Sequence, residues 1–186
     1  MKKLFIVANW KANKTLKQAE QWLAEFSIFN SQFSTNKEII ICPPFTLLEN
    51  LTSYLLHHKS LLKVGSQDIS PFAEGSYTGE VTAEQIKEFA TYVIIGHSER
   101  RKDFYENEDM ILKKLLLAQK QQLTPILCIS QLDQLFGYTT YMNQSPFIVA
   151  YEPLSAIGSG EADDPRNVDV IAQKIKEMAP TVIVLY

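Results

Sequence analysis

YVIIGHSE at 92–99 and FIVAYEP at 147–153 are two stretches in which an apolar run leads directly into polar or charged residues. Near-continuous apolar runs of this length are typical of strands buried on both faces of a parallel sheet. Because parallel strands end at the same face of a sheet or barrel, residues that follow different strands meet there. We therefore expect His97 and Glu152 to lie close together at one face of the fold.

A third stretch of the same form, LFIVANWK at 4–11, ends on Lys11. A carboxylate base, a neutral imidazole donor and a fixed positive charge suit the abstraction of a proton beside a carbonyl, where an oxyanion develops. Each residue also has a structural interpretation when it is considered alone. Glu152 fits a solvated residue at a loop entrance, His97 a hydrogen-bonded structural histidine, and Lys11 an exposed loop lysine.

The rest of the chain alternates apolar runs of strand length with longer amphipathic stretches. The apolar runs predict strands at 4–8, 38–42, 61–65, 91–95, 124–129, 146–151 and 181–185. The amphipathic stretches predict helices at about 16–30, 46–58, 81–90, 107–121 and 165–178. This alternation predicts an α/β fold in which helices cover a parallel sheet.

Three connecting segments depart from this rhythm. Residues 66–80 form a long loop rich in glycine, serine and proline, of the kind that serves a site or a subunit contact. Residues 153–163 follow Glu152, contain two glycines and predict a mobile lid. Residues 130–145 lie where another helix is expected, but Gly137 and the Thr/Tyr-rich sequence allow only a turn or two. The fifth crossover is therefore expected to be shortened.

Several predicted helices begin with recognisable capping residues. Thr15 with Gln18, Thr46 with Glu49, and Thr82 with Gln85 have the spacing of a capping box. The pair Asp164-Pro165 fits an N-cap followed by proline in the first helical position.

Composition limits the possible functions. The chain has 186 residues, of which 46% are hydrophobic, and we interpret residues 1–186 as one domain. Its net charge is −3 and it has no long Lys/Arg block, so neither a nucleic acid nor a membrane is an expected partner. Cys42 and Cys128 each close an apolar run and are expected to be buried free thiols in a reducing cytoplasm, without a disulfide or a metal.

Five sequence strings resemble one family. They occur in the family's order and are ANWKAN at 8–13, GSYTGEVTA at 75–83, IIGHSERR at 94–101, PILCIS at 125–130 and AYEPLSAIGSG at 150–160. In these strings the chain is similar to the triosephosphate isomerases. The resemblance implies a TIM (β/α)8-type barrel that interconverts dihydroxyacetone phosphate and glyceraldehyde 3-phosphate without a cofactor.

The resemblance also implies roles for individual residues. Glu152 would remove and return the carbon-bound proton, His97 would hydrogen-bond the enediolate oxygens, and Lys11 would stabilise the negative charge. Further positions implied by the resemblance are Asn9, Lys11 and Gly158 for substrate binding and Ser98 and Glu99 for support of the catalytic residues. The loop 66–80 matches the family's dimerisation loop, so the resemblance implies a cytoplasmic homodimer that acts on a small phosphorylated triose.

The sequence also departs from the family pattern. The family barrel has about 250 residues, and strand eight with its phosphate-binding loop has no counterpart here, so we expect an incomplete barrel of about seven strands. Ser155 stands where the family lid usually has tryptophan, Glu161 where it has lysine, and Gln131 where a carboxylate braces that tryptophan. An alternative hypothesis is an inactive truncated homologue that acts as a structural or interaction module. A Schiff-base aldolase that uses Lys11 is a third hypothesis, but no desolvating surroundings for that lysine are visible.

Overall fold

The computed structural model describes residues 3–27, 36–142, 146–153 and 163–186. Within these ranges, seven parallel strands form one sheet in which each strand pairs with the next along the chain. The strands are β1 (Leu4–Asn9), β2 (Lys37–Cys42), β3 (Lys63–Ser66), β4 (Tyr92–Ile95), β5 (Thr124–Ile129), β6 (Ile148–Tyr151) and β7 (Ile183–Leu185). All seven predicted strands are therefore present, with ends that differ by one or two residues.

Helices connect these strands. They are α1 (Leu16–Ser27), α2 (Leu48–His57), α3 (Ala83–Lys87), α4 (Ser98–Asp103), α5 (Glu108–Lys120), α6 (Thr139–Met142) and α7 (Pro165–Met178). In its described residues, 130–142 and 146–147, the fifth crossover contains a 3-10 turn at Leu132–Leu135 and the single turn of α6, as the sequence predicts for a shortened connection. Residues 28–30, which the sequence assigns to the first helix, lie outside the described residues.

The strands curve into a nearly closed barrel. The register runs from Leu4 opposite Lys37 on the first pair to Ala150 opposite Leu185 on the last. β1 and β7 are the two edges, and no hydrogen-bonded pairing joins them among the described residues. The prediction of an incomplete TIM-type barrel with seven strands is confirmed.

Two layers of apolar side chains hold the barrel together, because alternate residues of a strand face opposite sides of the sheet. The inner layer consists of Ile40, Cys42, Ile94, Ile126, Cys128 and Ile148. The outer layer packs strand residues such as Ile41 and Leu127 against helix residues such as Leu51 and Leu115, which are fully buried. Burial on both faces of the central strands explains why they read as nearly continuous apolar runs.

The capping predictions are right at two of the three boxes. Thr82 accepts a hydrogen bond from the amide of Gln85 while the Gln85 side chain accepts from the amide of Thr82, and Thr15 and Gln18 exchange the same pair of bonds. Asp164 caps α7, with Pro165 at its first position.

The third predicted box, at Thr46 and Glu49, is wrong. Pro44 precedes a 3-10 turn that runs from Phe45 to Leu47, so Thr46 lies inside this turn. The next helix, α2, begins at Leu48 without a side-chain cap. Proline fixes its own φ angle, and here the turn starts directly after it.

Candidate active site

The exit of β1 presents Lys11 in an unusual backbone conformation. Its φ angle is +52°, in the left-handed region that non-glycine residues rarely occupy. Two hydrogen bonds stabilise this conformation. The amide of Lys11 donates to the Asn9 side-chain oxygen over 3.0 Å, and its carbonyl accepts from the Gln67 side chain over 2.9 Å. The Lys11 ammonium group then reaches Glu99, with 2.5 Å between Nζ and Oε1.

The exit of β4 presents His97. Gly96 has a φ angle of +70°, which turns the chain from the strand into α4, and His97 is the N-cap of that helix. The amide of Glu99 donates a hydrogen bond to Nδ1 of His97 over 3.2 Å. An imidazole nitrogen that accepts a hydrogen bond carries no proton, so this arrangement assigns the proton of the neutral ring to Nε2. The residue is buried, with 8% of its surface exposed.

The exit of β6 presents Glu152. Its amide donates to the carbonyl of Ile129 over 2.7 Å, and the buried Pro153 follows it, so the backbone is fixed on both sides. The carboxylate lies 3.3 Å from Nε2 of His97 and accepts a hydrogen bond from the Ser98 hydroxyl over 3.4 Å. Its side chain is 27% exposed, so solvent or a ligand can reach it.

These exits surround one cavity of about 400 Å³ inside the barrel. Asn9, His97 and Glu152 contribute polar atoms to its lining, and the apolar lining includes Phe5, Val7, Ile94, Ile126, Ala150 and Leu185. A few polar groups on an apolar wall are typical of a small-molecule site. Lys11 does not line this cavity; its ammonium group lies beside it, at Glu99.

The structure thus brings together most of the predicted site residues. His97 and Glu152 are in contact, Ser98 contacts Glu152, and Glu99 links Lys11 to the first turn of α4. Gly158 lies outside the described residues, as do positions 155 and 161 of the predicted lid. At the C-terminal side of that segment, the amide of Asp163 donates to the Tyr186 hydroxyl over 2.7 Å.

Sequence reasoning missed the contact between Cys128 and this site. Cys128 lines the cavity, and burial, with a smaller contribution from the adjacent Glu152 carboxylate, raises the pKa of its thiol well above the usual value. The signal was present, because Cys128 shares the inner face of β5 with Ile126, and β5 lies between the strands that carry His97 and Glu152. The expectation that both cysteines are buried free thiols is confirmed.

Within the described ranges, no group of three or more His, Cys, Asp or Glu side chains is arranged to hold a metal ion. None of the helices in that part of the chain is long and apolar enough to cross a membrane.

Comparison with known proteins agrees with the geometry. The family model described as triosephosphate isomerase matches residues 4–186. The chain belongs to the triosephosphate isomerase family.

Individual relatives carry the same name. The triosephosphate isomerase of Synechocystis is 35% identical to this chain, and that of Trichodesmium erythraeum is 32% identical; each match covers 95% of this chain and 78% of the relative. The Buchnera aphidicola triosephosphate isomerase is 35% identical over 95% of this chain and 75% of its own length. Family membership therefore extends over nearly all of this chain and includes the strand exits that hold the site.

Proposed function

We propose that this chain interconverts dihydroxyacetone phosphate and D-glyceraldehyde 3-phosphate by proton transfer through an enediolate, as a triosephosphate isomerase of glycolysis and gluconeogenesis. The observation that carries the proposal is the 3.3 Å distance between Nε2 of His97 and Oε1 of Glu152 in one cavity. A carboxylate beside a hydrogen-bond donor is what proton abstraction next to a carbonyl requires. The names of the relatives support the same reaction.

Glu152 is the proposed base. A 3.3 Å contact leaves no space for a substrate carbon between the carboxylate and the imidazole, so substrate binding must move the Glu152 side chain away from the His97 ring. The weak 3.4 Å bond from Ser98 is readily exchanged for a contact with substrate. The hydrogen bond from the Glu152 amide to Ile129 holds the backbone on the strand side while the side chain moves. The carboxylate then removes a proton from one carbon and returns it to the neighbouring carbon.

His97 is the proposed hydrogen-bond donor to the substrate oxygens. Since its Nδ1 accepts from the amide of Glu99, the neutral ring directs its Nε2–H toward the cavity. A donor held in place before the reaction stabilises the oxyanion without reorganisation, and this effect is a large part of catalysis in such sites.

Lys11 is the proposed source of positive charge. Both the enediolate and the substrate phosphate are anionic, so an ammonium group at the cavity rim stabilises them by simple Coulomb attraction. Asn9 contributes a polar side chain at the same exit and holds the Lys11 amide. Gly158 is proposed to offer its amide to the phosphate when residues 153–163 close over the site and exclude water.

The proposal includes a cytoplasmic homodimer formed through the loop 66–80. Two aromatic rings of this loop, Phe72 and Tyr77, stack on one another with 4.2 Å between their centroids. They are nevertheless 40% and 46% exposed, respectively. An ordered aromatic pair on the surface supports an interface, because aromatic residues are enriched in the centres of such contacts.

The test is an assay of glyceraldehyde 3-phosphate isomerisation coupled to reduction of the ketone product. We expect measurable turnover in the wild-type protein and a loss of about a thousandfold or more in kcat for Glu152→Gln, which keeps the shape but removes the base. Glu177→Gln, an exposed glutamate on α7, is the matched control and should retain full activity. Absence of turnover in wild type would refute the proposal and favour the inactive structural homologue.

A further inference from the structure

Tyr138 lies in the shortened fifth crossover, between the 3-10 turn and α6, and has no part in the proposed chemistry. It is 2% exposed. Its hydroxyl donates a hydrogen bond to Oε2 of Glu108 and lies 3.4 Å from the Glu108 carbonyl oxygen. Burial and the adjacent carboxylate raise the pKa of this tyrosine above its usual value, so the hydroxyl stays a donor.

The Glu108 carboxylate also forms an ion pair with Arg101. Its other oxygen, Oε1, lies 2.5 Å from Nη1 of Arg101. The Glu108 side chain is 59% exposed, and exposed ion pairs are weak because water competes for both charges. The buried Tyr138 hydroxyl therefore fixes a carboxylate that would otherwise turn into solvent.

Arg101 contacts the backbone at the exits of two neighbouring strands, β4 and β5. Its Nε–H donates to the Gly96 carbonyl over 2.8 Å, and Nη2 lies 3.5 Å from the Cys128 carbonyl. Gly96 directly precedes His97, and a Cβ atom at Gly96 would lie only 3.0 Å from Nη2 of Arg101. The guanidinium group is thus packed against the backbone that turns into His97.

The second exit, that of β5, is hydrogen-bonded to the backbone of Glu152. Cys128 is followed by Ile129, whose carbonyl accepts the hydrogen bond from the Glu152 amide over 2.7 Å. One guanidinium group therefore contacts both the backbone before His97 and β5, whose last residue, Ile129, accepts the hydrogen bond from the Glu152 amide.

We infer that Tyr138 is a positioning residue that acts through Glu108 and Arg101 to set the spacing between the His97 imidazole and the Glu152 carboxylate. This inference rests on the proposed function for its effect on turnover. Catalysis is sensitive to such spacing, because a misplacement of about 1 Å can cost a hundredfold in rate.

The decisive variant is Tyr138→Phe, which removes only the hydroxyl. Its matched control is Tyr92→Phe, because the Tyr92 hydroxyl makes an equivalent 2.6 Å bond to Glu38 at the opposite end of β4. We expect kcat of Tyr138→Phe to fall about tenfold with KM within about twofold, since ground-state binding is retained while the reacting groups are displaced. Tyr92→Phe should leave both constants within about twofold.

A second readout does not depend on activity. The chain has three histidines, and the ring signals of His97 can be identified in a nitrogen-15 NMR spectrum by their loss in His97→Gln. We expect these signals to shift in Tyr138→Phe, and in Glu108→Gln, which breaks the same link from the surface. They should stay unchanged in Tyr92→Phe.

The inference is overturned if the His97 signals of folded Tyr138→Phe and Glu108→Gln match those of wild type. It is also overturned if the two tyrosine variants lower kcat equally, because the effect would then reflect stability alone. If wild type has no isomerase activity, the proposed function fails by itself, and the NMR comparison still decides whether Tyr138 positions His97.

Discussion

The ammonium group of Lys11 lies 2.5 Å from a carboxylate oxygen of Glu99, and this contact joins the exit of β1 to the first turn of α4. Both side chains are almost half exposed, at 47% and 44%. An ion pair in such a position contributes little to stability. The ion pair instead fixes the position of the Lys11 charge relative to His97. Nδ1 of His97 lies 3.5 Å from the same Glu99 carboxylate.

Glu99→Gln is therefore expected to separate activity from stability. The neutral amide no longer attracts the Lys11 ammonium group, so kcat/KM should fall about tenfold, which corresponds to about 1.4 kcal/mol of lost transition-state stabilisation. The free energy of unfolding should change by less than about 1 kcal/mol. Steady-state kinetics and urea unfolding measure the two quantities, and the exposed Glu84→Gln is the control. A variant that loses stability but keeps its activity would contradict this prediction.

A cluster of ion pairs is buried in the interior of the protein. Nζ of Lys114 is 2.6 Å from Asp68 and 3.0 Å from Glu106, and its side chain is 1% exposed. Arg100 also contacts both carboxylates, at 2.9 Å and 2.7 Å, so the cluster contains two charges of each sign. Burial raises the pKa of Asp68, and the charge of Lys114 opposes that shift. The cluster anchors the start of the loop 66–80 to α4 and α5.

Lys114→Met should destabilise the protein by about 3–5 kcal/mol, because it leaves two buried carboxylates with only Arg100 as their cationic partner. The adjacent Lys113→Met is the matched control, since Lys113 is exposed on the same helix, and it should change stability by less than about 0.5 kcal/mol. Urea unfolding followed by circular dichroism measures both. Equal midpoints for the two variants would show that the cluster contributes nothing to stability.

Much of the fold can be predicted from the sequence because its determinants are local. Runs such as the one before His97 have strand length and are apolar on both faces, and their alternation with amphipathic helices is typical of a covered parallel sheet. The convergence of His97 and Glu152 follows from the same argument, since parallel strands share one exit face. The short fifth crossover was visible in its glycine and in the lack of a helical pattern.

Other features depend on contacts that no local pattern contains. Lys113 and Lys114 both read as surface residues of an amphipathic helix, but the second is buried against Asp68 and Glu106. Tyr138 gives no sequence signal either, because its partner Glu108 precedes it by a whole helix and strand. The capping box expected at Thr46 failed because a turn that starts after Pro44 competes with it.

The burial of the two cysteines predicts how their thiols react. Burial raises the pKa of Cys42 to about 12, and burial together with Glu152 raises that of Cys128. Thiolates react with disulfide reagents and thiols do not, so the native protein should be almost unreactive between pH 7 and pH 9. Two thiols per chain should react once the protein is unfolded. Ser53→Cys, at an exposed position of α2, provides the control that must react rapidly in the native state.

The last prediction concerns stability at low pH. Partial burial alone raises the pKa of Glu38, but hydrogen bonds from Lys3 and Tyr92 and the charge of Lys3 outweigh this effect, so the pKa lies below its usual 4.5. A carboxyl group with a lowered pKa in the folded state stabilises the protein above its unfolded pKa, and this contribution disappears as the pH falls through the folded value.

Wild type should therefore be more stable than Glu38→Gln at pH 7, and the difference should shrink steadily as the pH falls below about 4.5. Urea unfolding at a series of pH values measures this difference, and Glu20→Gln, an exposed glutamate on α1, is the control for general acid effects. A difference that stays constant down to pH 3 would mean that the Glu38 charge does not stabilise the fold, and that any loss in the variant comes from packing around Tyr92.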